Sequence, residues 1–329
     1  MPTTRYSYTP KQLDDAYRDL AKTLFAVTRD IDSEGNPAPK ILVVAGVQGS
    51  GKTYMLNNTL RKNGGYANYI PLYKEEWRKK HPRYEDFKNQ DALSRYSHTE
   101  GFIWELCALV FQHAYENKFN IIMETALDTK AFASMITGSE LADYQFDVHL
   151  IGCKKDFAHL STITRALNVL SSRKDDAFER FVDVATIENS IENAEVIFNA
   201  FETACMRVSG STISMYERGF GELRNRKKLC SSLCERISTL TPQVFTDEAG
   251  NTVTVEQQTH HIVRSEKLST PCSYDNFLDV VEAPVSGVQA RLEAWQDAYS
   301  ALARMRGFWK QVPPRLAETL WGYIKKYVG

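Results

Sequence analysis

The chain has 329 residues, with 40 Lys and Arg against 41 Asp and Glu, a net charge of −1. At roughly 150 residues per domain, that length holds about two domains, or one core with an appendage. So balanced a charge excludes an acidic disordered tail and argues against long nucleic acid as a partner, while 43% hydrophobic residues with 17 Gly and 11 Pro exclude low-complexity and collagen-like chains.

Met1 to Tyr8 is polar and aromatic where a signal peptide has a basic region followed by an apolar run. The longest apolar stretch, Ile41 to Val47, falls far short of a bilayer span. These features predict a cytoplasmic protein with no membrane segment. Its six cysteines, Cys107, Cys153, Cys205, Cys230, Cys234 and Cys272, read as free and mostly buried thiols.

Thr9-Pro10-Lys11-Gln12 is a capping-box start, and a helix is expected from there to about Val27. Lys40 to Ala45 is a β-branched run suited to a strand buried on both faces. A helix from about Thr53 to Lys62, a short strand at Asn68 to Leu72, a long helix from His98 to Asn117 and a strand at Asn120 to Met123 follow. Gln145 to Gly152 reads as another strand, with helices at Lys155 to Leu170 and Thr186 to Cys205. Strands separated by helices predict an α/β fold with a mainly parallel, doubly wound sheet.

After about Leu240 the texture changes. Thr241 to Ser273 alternates β-type residues with turn signals, and two helical stripes follow: Val288, Leu292, Trp295, Tyr299 and Leu302, then Leu316, Leu320, Tyr323 and Tyr327. The expected organisation is a core over residues 1–240 and a mostly helical extension over 241–329 that ends in an antiparallel pair. Trp295, Trp309 and Trp321 are expected to pack that pair together, His260 and His261 to lie on loop surface, and Arg224 to Lys228 to form a solvated strand edge.

The strongest signal is Gly46-Val47-Gln48-Gly49-Ser50-Gly51-Lys52-Thr53, a full G-x-x-x-x-G-K-[ST] match placed between a buried strand and a helix. Its glycines let backbone N–H groups turn around a phosphate, and the helix N-terminus adds its positive dipole end. Lys52 would bridge the β- and γ-phosphates of ATP, and the Thr53 hydroxyl would coordinate Mg²⁺. No guanine-reading Asn/Thr-Lys-x-Asp motif is present, and the strand Ile121-Ile122-Met123 ends in the lone carboxylate Glu124, which favours a small-substrate kinase over a GTPase or a motor.

Phosphoryl transfer also needs a carboxylate near the acceptor hydroxyl and cations around the migrating group. Glu75, after the second strand, is a candidate for the first, and Arg165, Arg173 and Arg180 are candidates for the second.

These residues together resemble the zeta toxins, ATP-dependent P-loop kinases of bacterial toxin–antitoxin systems. The similarity runs over about residues 8–220: the capped first helix, Gly46 to Thr53, the segment ending in His81-Pro82, Ile121 to Thr125, Arg165, and Ile213 to Arg218. The resemblance implies that Lys52 binds phosphate, Thr53 binds magnesium and Glu124 helps bind the acceptor. It implies that Glu75 stands where the family has its catalytic Asp, one methylene longer, and that Arg165 and Arg180 are the transition-state arginines with Arg173 in reserve. It further implies a UDP-sugar acceptor such as UDP-N-acetylglucosamine and a helical antitoxin partner, with inhibition in cis by the extension as the alternative. Open beside it stand a P-loop kinase for a dinucleotide or polynucleotide end and a non-catalytic nucleotide-binding module.

Overall fold

The computed structural model describes residues 6–171, 181–219, 226–246 and 252–328. Its strands are β1 (Lys40–Ala45), β2 (Tyr69–Pro71), β3 (Asn120–Thr125), β4 (Gln145–Cys153), β5 (Thr212–Arg218), β6 (Arg226–Thr246) and β7 (Thr252–Glu266). They form one sheet in the order β2-β3-β1-β4-β5-β6-β7. Neighbours from β2 to β5 pair in parallel, while β5–β6 and β6–β7 are antiparallel. The main helices are α1 (Pro10–Leu24), α2 (Lys52–Met55), α3 (Tyr84–Phe87), α4 (Ala92–Glu116), α5 (Ala131–Ile136), α6 (Lys155–Ser171), α7 (Val184–Cys205), α8 (Tyr274–Glu282), α9 (Val288–Met305) and α10 (Leu316–Val328).

β1 shows why the sheet is wound on both faces. Its alternate residues serve two cores: Ile41, Val43 and Ala45 join the large cluster with Phe102, Leu106, Ile163 and Ile197, whereas Leu42 and Val44 pack with Met55, Leu56 and Ile151. A half-exposed strand would need polar residues at every second position; this one has none because both faces are covered. The capping box at the start of α1 is present, with Thr9 Oγ1 accepting from the Gln12 amide at 3.2 Å and Gln12 Oε1 accepting from the Thr9 amide at 2.9 Å. The helix after the glycine-rich loop is shorter than expected: α2 passes into a π-turn at Leu56–Leu60.

Residue 240 falls inside β6. That strand pairs with β5 over residues 226–233 and with β7 over 232–246, so the tail begins as sheet and becomes helical only from Tyr274. Cys234 and Arg236 still bond to residues 209–211 ahead of β5, and beyond them no third strand pairs with the β6–β7 ribbon among the described residues, with Leu240 exposed. His260 and His261 lie exposed on β7, in a strand and not in a loop.

Three further expectations are corrected. Cys230 and Cys272 form a disulfide, Cα to Cα 5.3 Å, because β6 and the approach to α8 meet over the same sheet face; Cys107, Cys153, Cys205 and Cys234 are free. On α9 the inward face is Ala294, Ala298, Ala301, Leu302 and Met305, while Val288 is 85% exposed and Leu292 and Tyr299 face solvent. Small residues let α9 approach α6 and α10 closely, which outweighs burying the larger stripe on this two-sided helix. Trp309 and Trp321 are exposed too, so packing of the pair rests on other residues. On α10 the expected stripe, Leu316, Leu320, Tyr323 and Tyr327, is buried in full.

Candidate active site

The glycine-rich loop leaves the carboxyl end of β1, where Gly46 N donates to Thr125 O at 3.2 Å. Gly49 and Gly51 hold φ of 82° and 86°, the left-handed region that side chains disfavour. At Gly49 space forbids a side chain as well: a Cβ there would lie 2.0 Å from the carbonyl oxygen of Ala158 on α6. The loop is thus folded by backbone conformation and seated against α6.

Within it, Lys52 Nζ donates to Gly46 O at 2.7 Å and to Val47 O at 3.1 Å. Burial, and to a lesser degree the nearby positive charge of Arg165, pushes the Lys52 ammonium down to about 8, against the opposing pull of Glu124 and Asp128. Thr53 Oγ1 donates to Glu124 Oε2 at 2.8 Å, which brings the strand-end carboxylate onto the loop's hydroxyl. Ser50 Oγ is fully buried with no hydrogen-bond partner among the described residues. An orphaned hydroxyl, a cradle of glycines, an ammonium and a Thr–Glu oxygen pair fit the phosphates of a nucleotide and a hard divalent cation. Among the described residues no group of three or more His, Cys, Asp or Glu side chains is placed to hold a metal, so such a cation would depend on Thr53, Glu124 and phosphate oxygens.

Parallel pairing brings the other candidates to the same edge of the sheet. Val44 stands beside Glu124 and Pro71 beside Ile122, so Glu124, the loop after β1 and the segment after β2 all leave the carboxyl end. Glu75 opens a 3₁₀ turn, Glu75–Lys80, and its carboxylate is held by side chains: the Tyr73 hydroxyl donates to Oε2, and Arg78 Nε lies 3.3 Å from Oε1. Arg78 is itself buried, donating to Thr99 Oγ1 at 2.9 Å with its guanidinium 4.0 Å from the centre of the Tyr96 ring. His81 of the His-Pro pair is buried among Tyr8, Phe87 and Phe102, and burial, with Arg83 and His98 nearby, pushes it down to about 4, so it is neutral at pH 7 and acts as packing.

Arg165 lies on α6, the helix against which Gly49 is seated, and its positive charge is one of the influences that lower the Lys52 ammonium. Arg173 and Arg180 lie outside the described residues.

Two arginines that the sequence reading did not single out for this site meet the loop directly. Arg218, at the end of β5 and 4% exposed, donates to Gly49 O and, at 3.0 Å, to Ser161 Oγ on α6. Arg226, at the start of β6, donates to Gly51 O at 2.8 Å and lies over the Tyr54 ring at 5.3 Å. The run expected as a solvated strand edge therefore points its first described residue into the site. By holding outward carbonyls, the two guanidiniums favour the loop conformation whose amides face the opposite way. Their partners on the loop are 169 and 175 residues away in the chain, so no local pattern marks them.

The zeta toxin family model matches residues 25–227. A solved structure from the PezAT chromosomal toxin–antitoxin system of the human pathogen Streptococcus pneumoniae has a TM-score of 0.56 at 15% identity, covering 93% of this chain and all of that one. A solved complex of AvrRxo1-ORF1 with AvrRxo1-ORF2, with sulphate ions, has a TM-score of 0.50 at 11% identity, covering 97% and 85% of the two chains. No curated protein matches the sequence. At such identities the solved structures speak for the fold, which is the P-loop kinase fold. Among the described residues no helix is long and apolar enough to cross a membrane. With the match extending from the end of the first helix to the start of β6, through every residue of the phosphate loop, the chain belongs to the zeta toxin family.

Proposed function

We propose that this protein is a Mg·ATP-dependent small-molecule kinase of zeta-toxin type, acting as a toxin on a UDP-sugar such as UDP-N-acetylglucosamine. The observation that carries the reading is the convergence of Lys52, Thr53 and Glu124 on one glycine-built loop, with Glu75 following β2 at the same carboxyl end of the sheet. The acceptor hydroxyl oxygen attacks the γ-phosphorus, the bond from that phosphorus to the β,γ-bridging oxygen breaks, and ADP leaves. Glu75 orients the hydroxyl and receives its proton; the Tyr73 and Arg78 contacts fix where its oxygens point. Lys52 and the loop amides hold the β- and γ-phosphates. Thr53, with Glu124 beside it, would hold the divalent cation, which would supply positive charge to the phosphates when bound. Arg165 and Arg180 neutralise the migrating phosphoryl group.

A helical antitoxin is the partner this reading brings with it; one similar solved structure comes from a toxin–antitoxin system and another is an ORF1:ORF2 complex. The deciding experiment incubates the purified chain with γ-labelled ATP and a panel of UDP-sugars, with NAD and oligonucleotides as competing acceptors. Label should pass to a UDP-sugar and Lys52→Ala should abolish the transfer. Equal transfer by that variant, or label passing only to NAD or to oligonucleotide, would overturn the proposal.

A further inference from the structure

α6 has two working faces. Ala158 meets the phosphate loop through the Gly49 backbone and Ser161 through Arg218, and Arg165, one turn further along, carries positive charge that acts on Lys52. These positions, three and four apart, form one helical stripe. The other face meets the C-terminal pair. His159 Nδ1 lies 2.7 Å from the Tyr323 hydroxyl of α10, and His159 Nε2 lies 3.0 Å from Val182 O just before α7. One turn earlier, Asp156 accepts from the Tyr327 hydroxyl and from Lys326 Nζ at 2.5 Å. Arg304 of α9 reaches Asn168 at the far end of α6.

The proton positions follow from chemistry. A backbone carbonyl only accepts, so Nε2 carries the hydrogen given to Val182 O, and Nδ1 accepts from the Tyr323 hydroxyl. His159 is 4% exposed and Tyr323 8%, so neither has water as an alternative partner. Burial also holds the imidazole below its ordinary range, which keeps it in this neutral form. Attaching α10 by hydrophobic contact would require none of these groups. A satisfied buried polar chain adds register, because a slip of α10 along α6 leaves every member unpaired.

We infer that α10 is a positioning element for the active site, with Tyr323 acting through His159 to hold α6, and hence Ser161 and Arg165, in register with the phosphate loop. The inference rests on the kinase reading for its kinetic consequence, and its sign is opposite to inhibition in cis: weakening the contact lowers the rate.

The test compares the full-length chain with Tyr323→Phe, His159→Ala and His159→Gln, with Trp321→Ala on the exposed side of α10 as the control. Mg·ATP and UDP-N-acetylglucosamine serve as probes, well below the melting temperature. Tyr323→Phe is expected to lower kcat by about tenfold, the scale of a small misplacement of catalytic groups, with the ATP dissociation constant changed by no more than about twofold. His159→Gln, which keeps a donor and an acceptor, should recover part of the rate that His159→Ala loses, and the control should match the parent. Hydrogen exchange gives a readout independent of turnover: amides of α6 and of Gly46–Thr53 should exchange faster in Tyr323→Phe. An unchanged or raised kcat per folded molecule, or faster exchange confined to α10, would overturn the inference. A parent chain that transfers label neither to UDP-N-acetylglucosamine nor to any acceptor of the panel refutes the kinase reading instead, and the exchange pattern then decides this inference alone.

Discussion

The two segments that leave the carboxyl ends of β1 and β2 are built from different materials. At the phosphate end the geometry is carried by backbone: glycines at positive φ, a carbonyl 2.0 Å from where a side chain would begin, and arginines gripping carbonyl oxygens. At the end after β2 it is carried by side chains alone, with Tyr73 and Arg78 bracketing Glu75, and Thr99 and Tyr96 bracketing Arg78. The difference teaches where change is tolerated. A backbone cradle admits almost no substitution, whereas a carboxylate bracketed by side chains moves with its neighbours, so under the proposed reading acceptor choice would be tuned there.

The largest effect that tests this contrast comes from the backbone end. Lys52→Ala should reduce transfer by on the order of 10³-fold, read from label moved per minute. Gly49→Ala should impair ATP binding as severely, because the loop must shift off α6; an ATP dissociation constant equal to the parent's would break the claim that backbone geometry governs this end. Next in size is Glu75→Gln, expected to lower kcat by about 10²-fold with ATP affinity unaltered by calorimetry. Glu75→Asp sharpens the same point: if its acceptor preference shifts while ATP affinity does not, specificity lies at the side-chain end.

A smaller effect is set by pH. Lys52, pushed down to about 8, is an ammonium below that pH and an amine above it. Mg·ATP favours the ammonium, so affinity should be flat below pH 8, fall by about tenfold per unit above it, and be accompanied there by proton uptake. Arg165→Ala removes a like charge and should move the break to higher pH; a break that stays put would contradict the placement of Arg165. Smallest is Arg226→Lys, which keeps the charge but loses the fork at Gly51 O and the contact over Tyr54, and should weaken ATP binding by roughly fivefold.

Legibility in the sequence follows the same division. Gly46 to Thr53 is contiguous and its residue types stand at fixed spacing, so the loop and the strand before it could be read directly, whereas the helix after it gives way to a π-turn within four residues. Glu124 was readable as a strand-end acid, though not its hydrogen bond to Thr53. Tyr73 and Arg78 lie within five residues of Glu75, but nothing in spacing says that a 3₁₀ turn folds them around it. Arg218 and Arg226 were opaque because the sheet order alone places the ends of β5 and β6 beside a loop about 170 residues earlier.

The extension shows the limit most clearly. Periodicity established that residues 288–305 and 316–328 form helices, because 3.6-residue spacing is a local property of the chain. Which face of α9 turns inward was settled by its neighbours: α6 and α10 admit the alanines and leave Val288, Leu292 and Tyr299 in solvent. The Cys230–Cys272 bond, 42 residues apart in sequence, likewise depends on where β6 runs. By itself the sequence determined the glycine-rich loop and most of the strands and helices around it, since motif spacing and hydrophobic period act over a few turns of chain. Only the tertiary structure decided what surrounds that chemistry, because burial and hydrogen bonding across the sheet depend on strand order, which no short stretch of residues encodes.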